Sequence, residues 1–415
     1  MLGSLKNYCN LCTIYVILWG LYGFHWYEIT KGSPIDEYSN LFLGINMLIS
    51  FACILRMRRW RLPSVFRTIA LLLVVFTIYG FFDIMTDDNY LINGHEVNKM
   101  SYFISIYRSF LPIYVFYYYA KKGTINNKTI RGYFFVMLFF YILYDLLYSR
   151  YMLTFGGYDD GFTNNLGYTF IALIPFAYVF EKKTLVQYGI VVVSMLLLFL
   201  SMKRGAMLIG FLLCAWFFYN EYKEATSFKK LIIVALTVSV VAIGTNYVIG
   251  FLHENSFAQA RLEQTLQGDS SGRDDIYTSL LKIYTDKSNV FEMLFGHGPN
   301  APARLTGHDA HNDWLEILLC QGLMGFSLFL SYWIRLYKYS RSVRRDPIVY
   351  FIVGSFIITQ FLRSLISMSY AAIPTASVIL LGYAFAVSES SKLSNIRKPL
   401  RGVKESKPSM SLVNN

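Results

Sequence analysis

The sequence predicts an all-α polytopic membrane protein with about twelve transmembrane helices and one large outer loop. Three observations carry this. Of the 415 residues, 55% are hydrophobic and only 15% charged, too apolar a balance for an ordinary soluble domain. Apolar runs long enough to cross about 30 Å of hydrocarbon recur along nearly the whole chain, bounded by Arg, Lys, Tyr and Trp. The basic residues concentrate in alternate connections between those runs.

The runs fall near 10–27, 40–56, 65–83, 101–120, 132–149, 164–180, 184–201, 204–220, 229–252, 313–334, 347–367 and 371–388. The first ends in "GFHWYEI" without a small-residue cleavage site, so it is expected to remain as a helix. With both termini on the inner side, the densest basic segments also fall inside: "RMRRWR" at 56–61, "KKGTINNKTIR" at 121–131, "RLYKYSRSVRR" at 335–345 and the tail after Ser391. The net charge of +12 therefore reads as a topology signal; membrane lipids are expected partners and nucleic acid is not.

This divides the chain into helices one to nine over 1–252, an outer loop over 253–312, helices ten to twelve over 313–388, and a polar, basic tail over 389–415 expected to be disordered. In the loop, apolar residues at Ile276, Leu280, Ile283 and Tyr284 predict a surface helix over 273–296, and the Gly- and Pro-rich stretch after it predicts irregular backbone. Cys9 and Cys12 form a C-x-x-C without a second ligand pair, so they are read as small helix residues.

Chemistry-bearing residues gather at the outer side. In "SMKRGA", 201–206, Lys203 and Arg204 occupy a short outer turn, where the positive-inside bias disfavours them; a cation there either snorkels to headgroups or holds an anionic ligand. Arg273 opens the surface helix beside Asp274 and Asp275, and its fork suits phosphate oxygens as well as a local ion pair. In "GHDAHNDWLEILLCQGLMGF", 307–326, Asn312 is an N-cap for the tenth span, with Asp313 and Glu316 favoured by the helix dipole. His311 precedes the cap, where an imidazole near neutrality can accept a hydroxyl proton. His297, His308 and His311 lack a thiolate or a firm third-ligand motif, so no metal is expected. Arg108 and Arg363 fall inside spans and should face the bundle interior, and Gly322 and Gly325 read as helix-contact residues.

Together these pieces resemble the O-antigen ligase and Wzy-type polysaccharide polymerase superfamily. The resemblance rests on "SMKRGA", "GR" at 272–273, "GHG" at 296–298, and above all "HN", nine residues, then "GLMG" over 311–325. It implies a GT-C-like, metal-independent and cofactor-free inverting glycosyltransferase in a bacterial inner membrane, with both termini cytoplasmic and a periplasmic site. The donor would be an undecaprenyl-pyrophosphate-linked oligosaccharide, the acceptor a second glycan, and other polysaccharide assembly proteins would be partners. Chemistry points the same way, because a departing pyrophosphate without a metal needs fixed cations. Arg204 and Arg273 fit that role with Lys203 in support; His311 would be the base, with Asn312, Glu316, Arg108 and Arg363 supporting. Lys203 replaces the usual second Ser of the turn, and Phe326 stands where ligases commonly carry a polar residue or Tyr, which favours a polymerase over a ligase. A lipid-linked glycan transporter is the alternative class; it predicts paired broken helices and an inverted repeat.

Overall fold

The computed structural model describes residues 11–24, 38–85, 91–92, 95–96, 99–155, 166–181, 183–201, 203–228, scattered positions between 230 and 250, and 273–397. In chain order its helices are α1 (Leu11–Gly23), α2 (Ser39–Met57), α3 (Ser64–Met85), α4 (Met100–Lys121), α5 (Asn127–Phe155), α6 (Gly167–Ile171), α7 (Thr184–Leu200), α8 (Arg204–Glu224), α9 (Arg273–Lys282), α10 (Val290–Phe295), α11 (Ala301–Thr306), α12 (Asp313–Ser342), α13 (Pro347–Ile366) and α14 (Thr375–Arg397). A 3-10 segment, Ile174–Phe180, follows α6, and a small antiparallel hairpin pairs Leu91–Ile92 with His95–Glu96.

This is an all-α, multi-pass membrane-type architecture, but it does not reproduce the expected twelve spans. Among the described residues five helices are long and apolar enough to cross a membrane: α2, α3, Asn127–Leu147 of α5, α12 and α13. Shorter apolar helices occupy Leu11–Gly23, Gly167–Phe180, Thr184–Leu200 and Thr375–Ser390. The remaining difference has a physical cause in α4 and α8. Helix α4 is rich in tyrosine, and its Tyr114 and Tyr117 lie buried against Phe66 of α3, at ring distances of 4.9 and 4.7 Å. A helix enclosed by other helices can carry polar edges that a lipid-facing one cannot, since the Tyr114 hydroxyl donates to the Phe66 carbonyl at 2.7 Å. In α8 the two ends carry charge, Arg204 at the start and Glu221, Lys223 and Glu224 at the close. The ninth expected span, 229–252, lies mostly outside the described residues. Helix α14 runs to Arg397, so the first residues of the expected disordered tail continue a helix.

The connection between α13 and α14 is buried or half-buried yet non-helical, a combination tolerated only when protein groups satisfy the backbone. They do so residue by residue. Asp313, fully buried, accepts from the Ser369 and Tyr370 amides at 2.7 and 3.0 Å. Arg108 donates to the Ala371 carbonyl at 3.4 Å and Arg363 to the Ala372 carbonyl at 2.8 Å. The Ile373 amide reaches Ser109 Oγ at 3.3 Å and the Ala376 amide reaches the Tyr141 hydroxyl at 3.2 Å. Asp313→Ala would strand two buried amides at about 1–3 kcal/mol each. A lowered unfolding temperature in detergent is the expected result, and an unchanged one would show that the connection holds itself.

Candidate active site

The turn that carries His311 is pinned from both sides. Glu316 is buried one turn into α12, near the Ala310 backbone. On the other side Asn312 Oδ1 caps α12 by accepting from the Trp314 and Leu315 amides at 2.9 and 3.2 Å. Between them His311 has φ of 49°, a left-handed conformation uncommon outside glycine, and its carbonyl accepts from the Tyr277 hydroxyl of α9 at 3.3 Å. Its side chain is exposed. The strained backbone is thus held by neighbours while the imidazole remains accessible.

Three successive residues at the end of α13 gather the site. Ser364 Oγ accepts from Trp314 Nε1 at 3.0 Å, the Leu365 carbonyl from Asn312 Nδ2 at 3.2 Å, and the Ile366 carbonyl from Arg273 Nη1 at 2.8 Å. The carbonyls of a helix C-terminus lack intrahelical donors, which is why side chains from α9 and α12 can use them. The Lys203–Arg204 turn reaches the same place. Gly205 packs so closely that an added Cβ would lie 2.7 Å from Ile366 Cδ1 and 2.8 Å from the Tyr168 hydroxyl.

The electrostatics follow from this convergence. Partial desolvation by the surrounding protein, ahead of the Arg273 charge, holds the pKa of the otherwise accessible His311 below the ordinary histidine value; Asp309 opposes the shift, and Lys203 and His308 add to it. Of the expected pyrophosphate-binding residues, Arg273 and Lys203 therefore stand close enough to bear on His311. Arg204 is exposed at the head of α8. Replacing Arg273 by Gln removes a like charge, so the His311 pKa rises and protonation sets in at higher pH. If neutral His311 is the active form, the acidic limb of the kcat/KM profile moves to higher pH in that variant. A uniform loss of rate with an unmoved limb would confine Arg273 to packing or ligand binding.

The "GHG" and "GLMG" motifs meet at a break in α12. Gly322 has φ of 65° and ψ of −163°, which interrupts the helix and frees the carbonyls before it. The His297 and Gly298 amides fill them, donating to Leu319 and Cys320 at 2.8 and 3.0 Å. Gly322 is therefore a helix break that receives the loop, a more specific role than the helix contact expected from its sequence. His297 itself sits between Ser288 Oγ, 2.8 Å from Nε2, and Glu292, 3.7 Å from Nδ1. Among the described residues no three His, Cys, Asp or Glu side chains form a group that could hold a metal.

Several local expectations need correction. The surface helix over 273–296 is two helices: α9 ends in a π-helical turn, Ile283–Lys287, and Asn289 starts α10 with a capping box to Glu292. The "irregular" stretch contains α11, initiated by Pro302 near its N-terminus, where a missing N–H costs nothing. Asp313 and Glu316, expected only as first-turn acids favoured by the helix dipole, are buried, and Asp313 also accepts from two backbone amides. Arg363 is buried and, besides its carbonyl, lies 4.4 Å from the Tyr168 ring centroid. Tyr168 was not singled out in the sequence; one Tyr among 33 carries no local signal. Cys12 is buried, and Cys9 lies outside the described residues.

Residues 189–330 match the Wzy_C family model, described as O-Antigen ligase. The match covers part of the chain and takes in Lys203, Arg204, Arg273, His311, Asn312 and Gly322. The curated proteins give no match.

Proposed function

We propose that this chain, with an O-antigen ligase-type domain over 189–330, is a metal-independent inverting glycosyltransferase. It joins undecaprenyl-pyrophosphate-linked glycans at the periplasmic face of a bacterial inner membrane. The observation that carries the reading is the convergence on the end of α13: an exposed His311 on a pinned turn, Arg273 fastened to Ile366, and Lys203 beside them. An acceptor sugar hydroxyl loses its proton to His311 as it attacks the anomeric carbon. The anomeric bond to pyrophosphate breaks from the opposite face, and Arg273, Arg204 and Lys203 stabilise the charge that develops on the leaving group. Asn312 and Glu316 position the base; Arg108 and Arg363 hold the connection on which that end of the bundle rests.

The same reading keeps twelve spans and cytoplasmic termini. It is supported by helices in each expected segment that the described residues cover, and by exposed Arg56, Arg58, Arg59, Arg335, Arg341 and Arg344 at the end of the bundle away from His311. A polymerase is preferred to a ligase because Phe326 packs its ring on Trp314, at 5.6 Å, and offers no polar group. A transporter would use a broken helix to line a substrate cavity; here the break in α12 is filled by residues 297 and 298. Deleting the gene and resolving the surface glycan beside the lipid-linked pool tests all three. Acceptor capped by a single repeat means polymerase, bare acceptor with long lipid-linked chains means ligase, and an unchanged ladder rejects both.

A further inference from the structure

A groove opens between α3 and the second half of α12, at the opposite end of α12 from His311. It encloses about 430 Å³ and is lined by Ser64, Ser327, Leu330, Ser331, Ile334, Arg335 and Lys338. The α12 residues recur at helical spacing, so they form one face. Along it serine hydroxyls give way to cations, while Leu330 and Ile334, 40% and 44% exposed, form an apolar wall.

Three features suit the groove to an anion. Among the described residues no carboxylate lines it. Ser64 begins a 22-residue helix with no acid in its first turn, so the positive end of that helix dipole is not offset by a local carboxylate. Arg335 Nε donates to Ser331 Oγ at 3.3 Å, which turns the guanidinium back along the groove toward the serines. An arginine that only snorkelled would extend away from the apolar wall toward water.

The occupant must be both anionic and apolar. A phosphate beside Arg335, Lys338 and Ser64 would accept a forked guanidinium, an ammonium and a hydroxyl, and an acyl chain would cover Leu330 and Ile334. Both flanking helices have the length and composition of membrane spans, and the exposed Leu330 and Ile334 on the groove's wall suit an acyl chain alongside them. The chain's own terminal segments suit it poorly: 398–415 carries Lys398, Arg401, Lys404 and Lys407 against a single Glu405. We infer that this groove is a binding site for an anionic phospholipid, with the headgroup phosphate on Arg335 and Lys338. The inference is independent of the glycosyltransferase reading.

The test is native mass spectrometry of the full chain in detergent, incubated with phosphatidylglycerol or with phosphatidylcholine. Wild type is expected to retain phosphatidylglycerol selectively. Arg335→Gln with Lys338→Gln should weaken retention about tenfold, the scale of one lost charged hydrogen bond. Arg341→Gln with Arg344→Gln, two exposed cations outside the groove, should leave it unchanged. Equal retention of the two lipids by wild type would overturn the inference. So would equal losses in the two double variants, which would show diffuse charge attraction, or displacement of the lipid by inorganic phosphate, which would show a free-phosphate site. Should the groove variant fail to insert, the wild-type lipid comparison and Ser331→Val, expected to weaken retention, decide the matter.

Discussion

His311→Ala is expected to lower glycan transfer by about 10²- to 10⁴-fold, the usual contribution of a general base. That corresponds to about 3–5 kcal/mol of transition-state stabilisation. The substitution is clean because what holds the turn is not the imidazole. Tyr277 grips the residue 311 carbonyl and Asn312 caps α12, both through groups that alanine leaves in place. Both His and Ala carry a Cβ and both are strained at φ of 49°, so the change in stability should be small. The variant should therefore reach the membrane at normal levels, with the lipid-linked pool delivered and glycan joining stopped. Near-normal glycan output would remove His311 from the mechanism, whereas loss of the protein from the membrane would assign it a folding role.

How much of this was legible in the sequence depended on the distance over which each feature acts. Asn312 was readable as a cap because capping is decided within three residues, and the structure shows that bond. Arg108 and Arg363 were readable only as charges that must turn inward. Their acceptors are adjacent carbonyls, Ala371 and Ala372, and the first lies 263 residues from its donor. Asp313 misled for the same reason: an acid in a first helical turn satisfies a local rule, while its burial and two amide partners come from a connection 56 and 57 residues away. Only five of the expected spans stand out by length and apolarity among the described residues, because helices enclosed by the bundle, such as α4, follow packing more than lipid. The apolar periodicity that suggested one surface helix ends at Tyr284, and a π-helical turn over Ile283–Lys287 followed by backbone capping at Asn289 divides the segment in two.

Gly322→Ala is the substitution expected to cost most in stability. At φ of 65° and ψ of −163° only glycine is at ease, and a side chain there costs about 1–3 kcal/mol before any contact is considered. The contact is severe. An added Cβ would lie 2.5 Å from the Leu294 carbonyl oxygen and 2.6 Å from the Gly296 nitrogen, and neither backbone atom can rotate aside as a side chain could. Relief requires α10 to withdraw from α12, which breaks the bonds from the His297 and Gly298 amides to Leu319 and Cys320. Buried carbonyls would then lose their donors, for a combined loss of at least about 3 kcal/mol. The expected result is a lower unfolding temperature with new protease sensitivity between 283 and 298. Gly307→Ala separates the two causes: its φ is 78° but an added Cβ meets nothing within 4 Å, so it should pay only the backbone cost of about 1 kcal/mol. If both variants lose the same stability, conformation alone explains Gly322 and close docking is unnecessary. A much larger loss at Gly322 would mean that the second half of the "HN…GLMG" signature is kept open for the backbone of the "GHG" loop.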